Sequence, residues 1–469
     1  MDFVLENGIR VWQSDLAMAK PLTNVITKPM RGDRQAYPEL LLPPRQLEFF
    51  SEETSGKDIR SSTFAENLSL PIHRWFRYSA GFSALWAREV IAEQVALGRR
   101  RILDPFAGSG TVMLESERFV TEGKGVEAHP FVFRVAKAKL LWRSNPRAFF
   151  NAAMGLVKTA RTKPSKMADY PPLIEKCFPA DALLKLNALK AAWQQMADGS
   201  PHSELTWLVL ASILRECSPV GTAQWQYVLP RKRKVRVLDP FAAFEAKVHQ
   251  MCADMAIRQQ EFCGPPALIC RDDARECATI PDGWAELVIT SPPYANNYDY
   301  ADATRLEMCF FGEVQSWGDL QETVRKHLVR SCTQHVAGLR NGLETYFGNS
   351  VLAPIDTELR EVCARLEAER QSHGGKKPYH LMVAAYFSDL ARVWQALRRV
   401  CAKDCIVCFV VGDSAPYGIY VPVDRWLGEL ALAVGFKSYR FEKTRDRNTK
   451  WKNRKHRVPL HEGRLWVVG

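Results

Sequence analysis

The sequence predicts an α/β fold, a Rossmann-like sheet of seven mostly parallel strands with an antiparallel C-terminal hairpin and helical insertions. Seven short apolar runs have strand character, at 100–105, 123–128, 266–272, 285–291, 405–412, 436–442 and 464–469. Helical patterns separate several of these runs, and alternation of strands and helices indicates a doubly wound parallel sheet. Only a basic segment separates the last two runs, so we expect that pair to be antiparallel, because a short link cannot join parallel neighbours.

The chain has 469 residues, which is too long for one minimal domain. Two long segments interrupt the strand and helix pattern, and each is a candidate recognition module. The second of them is polar in part, whereas the first is mostly helical. We predict an N-terminal extension at 1–60, a core at 61–144, 263–312 and 381–469, a helical insertion at 145–262 and a second insertion at 313–380.

The composition, 46% hydrophobic and 25% charged, is typical of a folded globular protein. The net charge of +12 favours a polyanionic partner through phosphate contacts, although charge alone does not identify any chemistry. The N-terminus lacks a basic region followed by an apolar run, and the longest apolar stretches fall short of the roughly 20 residues that span a membrane. We therefore expect a cytoplasmic protein.

Twelve cysteines are scattered along the chain, without paired CxxC motifs at zinc spacing. The closest group is Cys401, Cys405 and Cys408. The last two lie in an apolar run that predicts a buried strand, where residues three apart face opposite sides. We expect free buried thiols and no metal site.

The stretch RILDPFAGSGTVMLE at 101–115 predicts a strand, a tight turn and a helix. Gly108 and Gly110 can adopt backbone conformations closed to other residues, and the helix N-terminus offers unpaired N–H groups to a ligand. Glu127 ends the next strand, at about the distance where an acidic residue meets ribose hydroxyls in dinucleotide folds. Met113 replaces the third glycine of a GxGxxG fingerprint, which disfavours nicotinamide. The turn is thus a candidate cofactor cradle.

The fourth strand runs directly into SPPY at 291–294, at its carboxyl end, where open α/β sheets place their sites. Two consecutive prolines cannot continue a sheet, and they hold the backbone extended and stiff without an N–H on either residue. The carbonyl groups of Pro292 and Pro293 are therefore fixed and available as hydrogen-bond acceptors.

DPFAGSGT at 104–111 and SPPY at 291–294 resemble the cofactor and catalytic motifs of the DNA amino-methyltransferases, whose sheets also have seven strands. The resemblance implies S-adenosylmethionine as cofactor and double-stranded DNA as substrate. The order, cofactor motif before catalytic motif, differs from the group in which the catalytic motif comes first. The long insertion between the second and third strands is also unusual for the family.

The resemblance also implies a cofactor site. Glu127 would take the ribose and Asp273 the adenine amino group, with Asp272 as an alternative that the sequence does not separate. The segment 69–83 is similar to the family's cap over the methionine end, although it also fits a surface loop packed by its aromatic side chains. The expected cofactor-binding residues are His73, Trp75, Asp104, Pro105, Phe106, Gly108, Gly110, Thr111, Glu127, Asp272 and Asp273.

The catalytic motif suits an exocyclic amino nitrogen, a poor nucleophile because its lone pair is delocalised into the ring. The Ser291 hydroxyl and the Pro292 carbonyl can hydrogen-bond the amino group and localise that lone pair. The base must leave the duplex to reach them, and Tyr294 is the expected stacking platform. Asn297, Tyr298, Asp299 and Tyr300 follow close by, with individual roles left open.

A basic segment at 437–457 is the main candidate for DNA contacts, and RKRKVR at 231–236 is a second. On a hairpin beside the catalytic face this segment could clamp phosphates, although a solvated basic loop is the alternative. The expected DNA-binding residues are Arg445, Arg447, Lys450, Lys452, Arg454 and Lys455.

Within the family, serine before PPY is typical of cytosine-N4 enzymes, whereas aspartate or asparagine is typical of adenine-N6 enzymes. Ser291 therefore predicts a site-specific cytosine-N4 methyltransferase, plausibly with cognate restriction or defence proteins. Adenine-N6 methylation is the main alternative. Methylation of RNA bases or of protein glutamine, or a DNA-binding scaffold without catalysis, are further ones.

Overall fold

The computed structural model describes residues 64–78, 81–163, 166–220, 233–295, 298–337, 342–447 and 458–469. Its strands form one sheet in the order β3-β2-β1-β4-β5-β7-β6. Neighbours among β1 to β5 are parallel, whereas β7 is antiparallel to both β5 and β6. The predicted fold class, with its C-terminal hairpin, is confirmed. The strands are β1 Arg101–Asp104, β2 Glu122–Val126, β3 Leu268–Cys270, β4 Ala285–Thr290, β5 Cys401–Gly412, β6 Ser438–Arg447 and β7 Leu460–Val468.

Thirteen α-helices lie in the described ranges. They are α1 Ala84–Ala96, α2 Thr111–Ser116, α3 Pro130–Lys139, α4 Pro146–Thr162, α5 Pro172–Cys177, α6 Ala180–Met196, α7 Pro201–Ile213, α8 Pro240–Gln260, α9 Arg305–Phe311, α10 Asp319–Thr323, α11 Asp356–Ser372, α12 Tyr379–Val400 and α13 Val423–Ala433. None of these helices has the length and apolar character that crossing a bilayer requires.

Several helices begin with the same local signal, a capping side chain followed by proline. His129, Asn145, Ser200 and Asp239 each accept a backbone N–H of the first turn of α3, α4, α7 and α8 respectively. Proline suits the first helical position because it lacks the N–H that would be unpaired there. The sequence LDPFA occurs at 103–107, where the glycine turn follows, and again at 238–242, where it is the start of α8.

Each face of the sheet is covered by a hydrophobic core. On one face α12 and α13 pack against β4 and β5, and Trp394 of α12 stacks on Phe409 of β5 with ring centroids 4.6 Å apart. On the other face Trp86 and Ile91 of α1 pack against Ile102 of β1 and neighbouring strand residues. The sheet is therefore buried at its centre, where β1 and β4 lie side by side. All twelve cysteines are free, and ten are buried, as predicted.

The helical insertion shares one core with the segment that follows the SPPY motif. Tyr170 stacks on Phe310 of α9 with ring centroids 5.5 Å apart, and Trp207 of α7 lies 5.6 Å from the ring of Phe311. Arg215 binds both carboxylate oxygens of Glu307, at 2.5 and 3.0 Å. This part of the chain thus supports the catalytic edge, and its use in DNA recognition stays a prediction.

We predict that Arg215→Ala lowers the free energy of unfolding by about 3 kcal/mol, because it leaves the carboxylate of Glu307, which is 1% exposed, buried without its partner. The measurement is chemical denaturation followed by circular dichroism. Lys185→Ala is the matched control, because the pair that Lys185 forms with Asp239 is more than a third exposed and such surface pairs contribute little to stability. Equal stability of the two variants would contradict the prediction.

Candidate active site

A pocket of about 590 Å³ opens at the carboxyl ends of the central strands. Because β1 and β4 are adjacent and parallel, the turn after β1 and the SPPY motif after β4 emerge at the same edge. The pocket brings the two motifs together with residues from five other parts of the chain. Its lining consists of Tyr78, Pro105, Phe106, Gly108, Glu127, Ala128, His129, Asp273, Ala274, Ser291, Pro293, Tyr300, His327, Leu328 and Val329.

The turn after β1 requires its two glycines. Gly108 has a φ of 52°, and a Cβ at this position would lie 3.3 Å from the ring of Tyr78 across the pocket. Gly110 precedes α2 with a φ of 86°, and a Cβ there would lie 3.4 Å from the methyl group of Ala136. Both conformations are left-handed and favour glycine. The backbone of Gly108 is thereby open to a ligand.

Glu127 is held rigidly where β2 ends. Its Oε2 accepts the N–H of Gly108 and its Oε1 accepts the N–H of His129, each at 2.8 Å. Burial raises the pKa of Glu127 to about 7, although these hydrogen bonds oppose the shift. The carboxylate lines the pocket and can accept hydrogen bonds from ligand hydroxyl groups.

Asp104 joins the two central strands and lies behind the lining. Its Oδ1 accepts the Thr290 hydroxyl at 2.6 Å and the N–H of Phe106 at 3.1 Å. Burial raises the pKa of Asp104 to about 7. Thr111 is also buried outside the lining, at the start of α2. The structure thus places Pro105 and Phe106 at the pocket, and Asp104 and Thr111 behind it.

The two acidic residues after β3 have different surroundings. Asp273 lines the pocket, and its carboxylate accepts hydrogen bonds from the guanidinium of Arg275. Asp272 is turned to its own loop, where its Oδ2 accepts the backbone N–H and the hydroxyl of Thr279, each at 2.8 Å. Of the two alternatives, Asp273 is the one that reaches the pocket.

The candidate cap contributes a different side chain from those expected. His73 is buried and its Nε2 lies 2.7 Å from Glu115 Oε1, while Trp75 donates its indole N–H to Asp254 at 2.9 Å. Neither residue lines the pocket, whereas Tyr78 of the same segment does. Burial lowers the pKa of His73, so the neutral ring is favoured. The predicted cofactor contacts of His73 and Trp75 stay predictions.

The serine of SPPY has a defined hydrogen-bond direction. Ser291 donates its hydroxyl to the carbonyl of Val410 on β5, at 3.1 Å. The Tyr294 hydroxyl also hydrogen-bonds Ser291, which leaves one lone pair of the serine oxygen as an acceptor on a side chain that lines the pocket. Pro293 lines the pocket as well, whereas Pro292 is buried and, like Tyr294, lies outside the lining.

Tyr294 is held by a second tyrosine and by the C-terminal hairpin. Its backbone N–H donates to the hydroxyl of Tyr300 at 3.4 Å, and the Tyr300 ring lies edge-on to Tyr298, with centroids 4.7 Å apart. The guanidinium of Arg447 lies 5.3 Å from the Tyr294 ring centroid, a cation–π distance. It passes over Gly412, where a Cβ would be 2.6 Å away. Burial raises the pKa of Tyr294, so its hydroxyl stays protonated.

Two of the predicted DNA-binding residues lie in the described part of the hairpin. β6 extends to Arg447, so these residues belong to a strand. Arg445 forms a bidentate pair with Glu462 of β7, at 3.0 and 3.1 Å. Arg447 donates to the carbonyl of Asp413 at 2.7 Å. The others, Lys450, Lys452, Arg454 and Lys455, lie outside the described residues, as does Asn297.

Asp299, Cys332 and His335 place possible metal-ligand atoms within 4.8 Å of one another, all buried. The Asp299 carboxylate is already committed, because one oxygen accepts two backbone N–H groups and the other accepts the guanidinium of Arg325 at 2.8 Å. Burial raises the pKa of Asp299, but hydrogen bonds and charge interactions with His335 and Arg325 outweigh it and lower that pKa overall. We interpret the group as an ion-pair network that holds the segment after SPPY.

Several pocket residues have no clear signal in the amino-acid sequence. His129 is two residues from Glu127, and burial lowers its pKa to about 3, so its neutral ring lies in the wall. Tyr300 was noted only as an aromatic residue near the motif. The segment 327–329 comes from the second insertion and carries no recognisable motif. Proximity to known motifs could have pointed to the first two, whereas the last depends on tertiary packing.

The chain is similar in sequence to known methyltransferases. The chain is 25% identical over 431 residues to the Type II methyltransferase M.BsoBI of Geobacillus stearothermophilus, covering 82% of each protein. It is 24% identical over 403 residues to the Type II methyltransferase M.AvaI of Nostoc sp. and that of Anabaena variabilis, covering 80% of this chain and 81% of each relative. No family model matches, and no solved structure does. The predicted resemblance to DNA methyltransferases is confirmed by these relatives.

We predict that affinity for S-adenosylhomocysteine falls about tenfold between pH 8 and pH 6. Ligand hydroxyls bind the ionised form of Glu127, whose pKa is about 7, so protonation below that value competes with binding. Titration calorimetry at several pH values measures the effect. Glu127→Gln should bind more weakly and with a smaller pH dependence, whereas Glu122→Gln, an exposed change on the same strand, should behave like the unaltered protein. An unchanged pH profile in Glu127→Gln contradicts this role of Glu127.

Proposed function

We propose that this relative of the Type II methyltransferases is a DNA methyltransferase of a restriction–modification system that transfers methyl from S-adenosylmethionine to the N4 amino group of cytosine in duplex DNA. The relatives support the coarser statement, methylation of DNA. The base and the atom are our proposal. The observation that carries it is the Ser291 hydroxyl, which lines the pocket while donating to the carbonyl of Val410.

The pocket fits S-adenosylmethionine on its own features. The backbone of Gly108 faces it without a side chain, and carboxylates of Glu127 and Asp273 lie at the ends of the two following strands. We assign Glu127 to the ribose hydroxyls, Asp273 to the adenine amino group and the 105–108 turn to the methionine side. When bound, S-adenosylmethionine supplies a methyl group on a positively charged sulfonium.

Ser291 acts on the other reactant. Because its proton is donated to Val410, its oxygen accepts one N–H of the target amino group. The Pro292 carbonyl is the proposed acceptor for the second N–H. Two such acceptors draw the nitrogen towards tetrahedral geometry and localise its lone pair for direct attack. The contribution of these residues is orientation, so the reaction needs no covalent enzyme intermediate and no nucleophilic cysteine.

The target base reaches Ser291 by leaving the helix, which costs a few kcal/mol of unstacking that aromatic contacts partly offset. We propose Tyr294 as the stacking partner, at about 1–3 kcal/mol. Arg447 and Tyr300 hold it in place from two sides. Arg445, Arg447 and the basic residues that follow them are proposed to hold the DNA backbone, which agrees with the net charge of +12.

We predict that Ser291→Ala lowers kcat at least about a hundredfold while affinity for S-adenosylhomocysteine changes less than about twofold, because the lost acceptor serves the base and not the cofactor. Transfer of labelled methyl groups to duplex DNA measures the rate, and calorimetry measures the affinity. Ser372→Ala, at the exposed end of α11, is the matched control and should be fully active. Normal transfer by Ser291→Ala would remove Ser291 from the mechanism.

We predict that the product is N4-methylcytosine. DNA from cells that express the protein is digested to nucleosides and analysed by mass spectrometry, and sequencing that detects modified bases gives the sequence context. N6-methyladenine as the sole product would retain the site and reverse the choice of base. If neither N4-methylcytosine nor N6-methyladenine is found although the protein binds the cofactor, DNA as the substrate is contradicted.

A further inference from the structure

Asp273, the pocket carboxylate beyond β3, is bound almost completely by a single side chain. The Nε of Arg275 donates to both carboxylate oxygens, at 2.9 and 3.0 Å, and its Nη2 donates to Oδ2 at 2.5 Å. The backbone N–H of Arg275 donates to Oδ1 at 2.9 Å. The carboxylate is therefore fixed in both position and plane.

The number of acceptor positions limits what else Asp273 can bind. A carboxylate oxygen has about two lone-pair positions. On Oδ1 both are used, by the backbone N–H and by Nε of Arg275, whereas Oδ2 has Nη2 as its main donor and shares Nε. One position on Oδ2 is left, which is enough for one N–H of an amino group in the pocket.

Arg275 is itself fixed by a buried carboxylate on α12. Its Nη1 lies 3.5 Å from Oδ1 of Asp389, whose side chain is fully buried. Arg330 binds the same carboxylate in bidentate fashion, with Nε to Oδ2 at 2.9 Å and Nη2 to Oδ1 at 2.5 Å. One buried acid thus holds two arginines.

Arg275 also reaches the part of the second insertion that lines the pocket. Its Nη2 donates to the carbonyl of His327 at 3.3 Å, and the residues at 327–329 are lining residues. The same guanidinium therefore sets the position of Asp273 and of the facing wall. Lysine could not do this, because it lacks the planar array of donors that binds a carboxylate at two points.

We propose that Arg275 is the positioning residue that makes the pocket selective for the amino group of the adenine ring, by presenting one acceptor position of Asp273. This inference rests on the proposed function, since it takes the ligand to be S-adenosylmethionine or its product. Arg275 acts through Asp273 and does not touch the ligand. Asp389 holds Arg275 in this orientation.

The test compares S-adenosylhomocysteine with its inosine counterpart, in which a carbonyl replaces the adenine amino group. Calorimetry on the full chain measures both ligands with the unaltered protein, Arg275→Lys, Asp273→Asn and the double variant. Arg392→Lys is the matched control, because Arg392 forms an exposed pair with Glu276 on the same loop. The unaltered protein should prefer the adenosine ligand by about tenfold or more.

We expect Arg275→Lys to lose most of that preference, with affinity for the inosine ligand changed less than about twofold, and the double variant to be no worse than Asp273→Asn. Equal weakening of both ligands would overturn the proposal, since it would mean a general loss of structure. So would a preference retained in Arg275→Lys. If Arg275→Lys does not fold, Asp273→Asn provides the test. An Asp273→Asn protein that still prefers the adenosine ligand would also overturn the proposal.

The two proposals fail in different ways. If the unaltered protein binds neither ligand, the cofactor assignment and the positioning role both fail. If it binds S-adenosylhomocysteine with the expected preference but methylates no DNA, the proposed function fails and the role of Arg275 stands on the binding data.

Discussion

The hydrogen bond from the Thr290 hydroxyl to the Asp104 carboxylate joins the ends of the two central strands. It is 2.6 Å long and lies in the core, with both side chains at most 1% exposed. The glycine turn begins directly after Asp104, and Ser291 of the SPPY motif follows directly after Thr290. A shift of either strand would therefore separate the two motifs. The pocket depends on this register, and an unpaired carboxylate at such depth would be costly.

The sheet supplies the edge at which the motifs meet, while the second insertion adds residues 327–329 to the pocket wall. The helical insertion packs its aromatic residues against Phe310 and Phe311, and so fixes the segment after SPPY. The second insertion returns to the sheet edge at 327–329, where Arg275 and Arg330 tie it to the buried Asp389. Both insertions are therefore packed into the hydrophobic cores of the fold, and the second also lines the pocket.

The seven strands could be predicted because each is a short apolar run bounded by turn signals, and the hairpin could be predicted because its connection is too short for a parallel crossover. The glycine turn and SPPY were local patterns as well. The choice between Asp272 and Asp273 was not local, since it depends on which carboxylate Thr279 binds. The places of His73 and Trp75 depend equally on distant partners, Glu115 and Asp254. The orientation of these side chains is set by tertiary contacts, and a sequence motif does not specify such contacts.

The neighbouring strand gives a physical reason for serine at position 291. The carbonyl of Val410 on β5 faces the side chain and can only accept a hydrogen bond, so it favours a residue that donates. An ionised aspartate would place its oxygens against this carbonyl with no proton between them, at a cost that a half-buried site would not screen. Serine satisfies the carbonyl and still has a lone pair that can accept a hydrogen bond from the pocket. The Val410 carbonyl on β5 thus favours serine at position 291. The residue type in the SPPY motif therefore depends on the neighbouring strand of the sheet as well as on the motif itself.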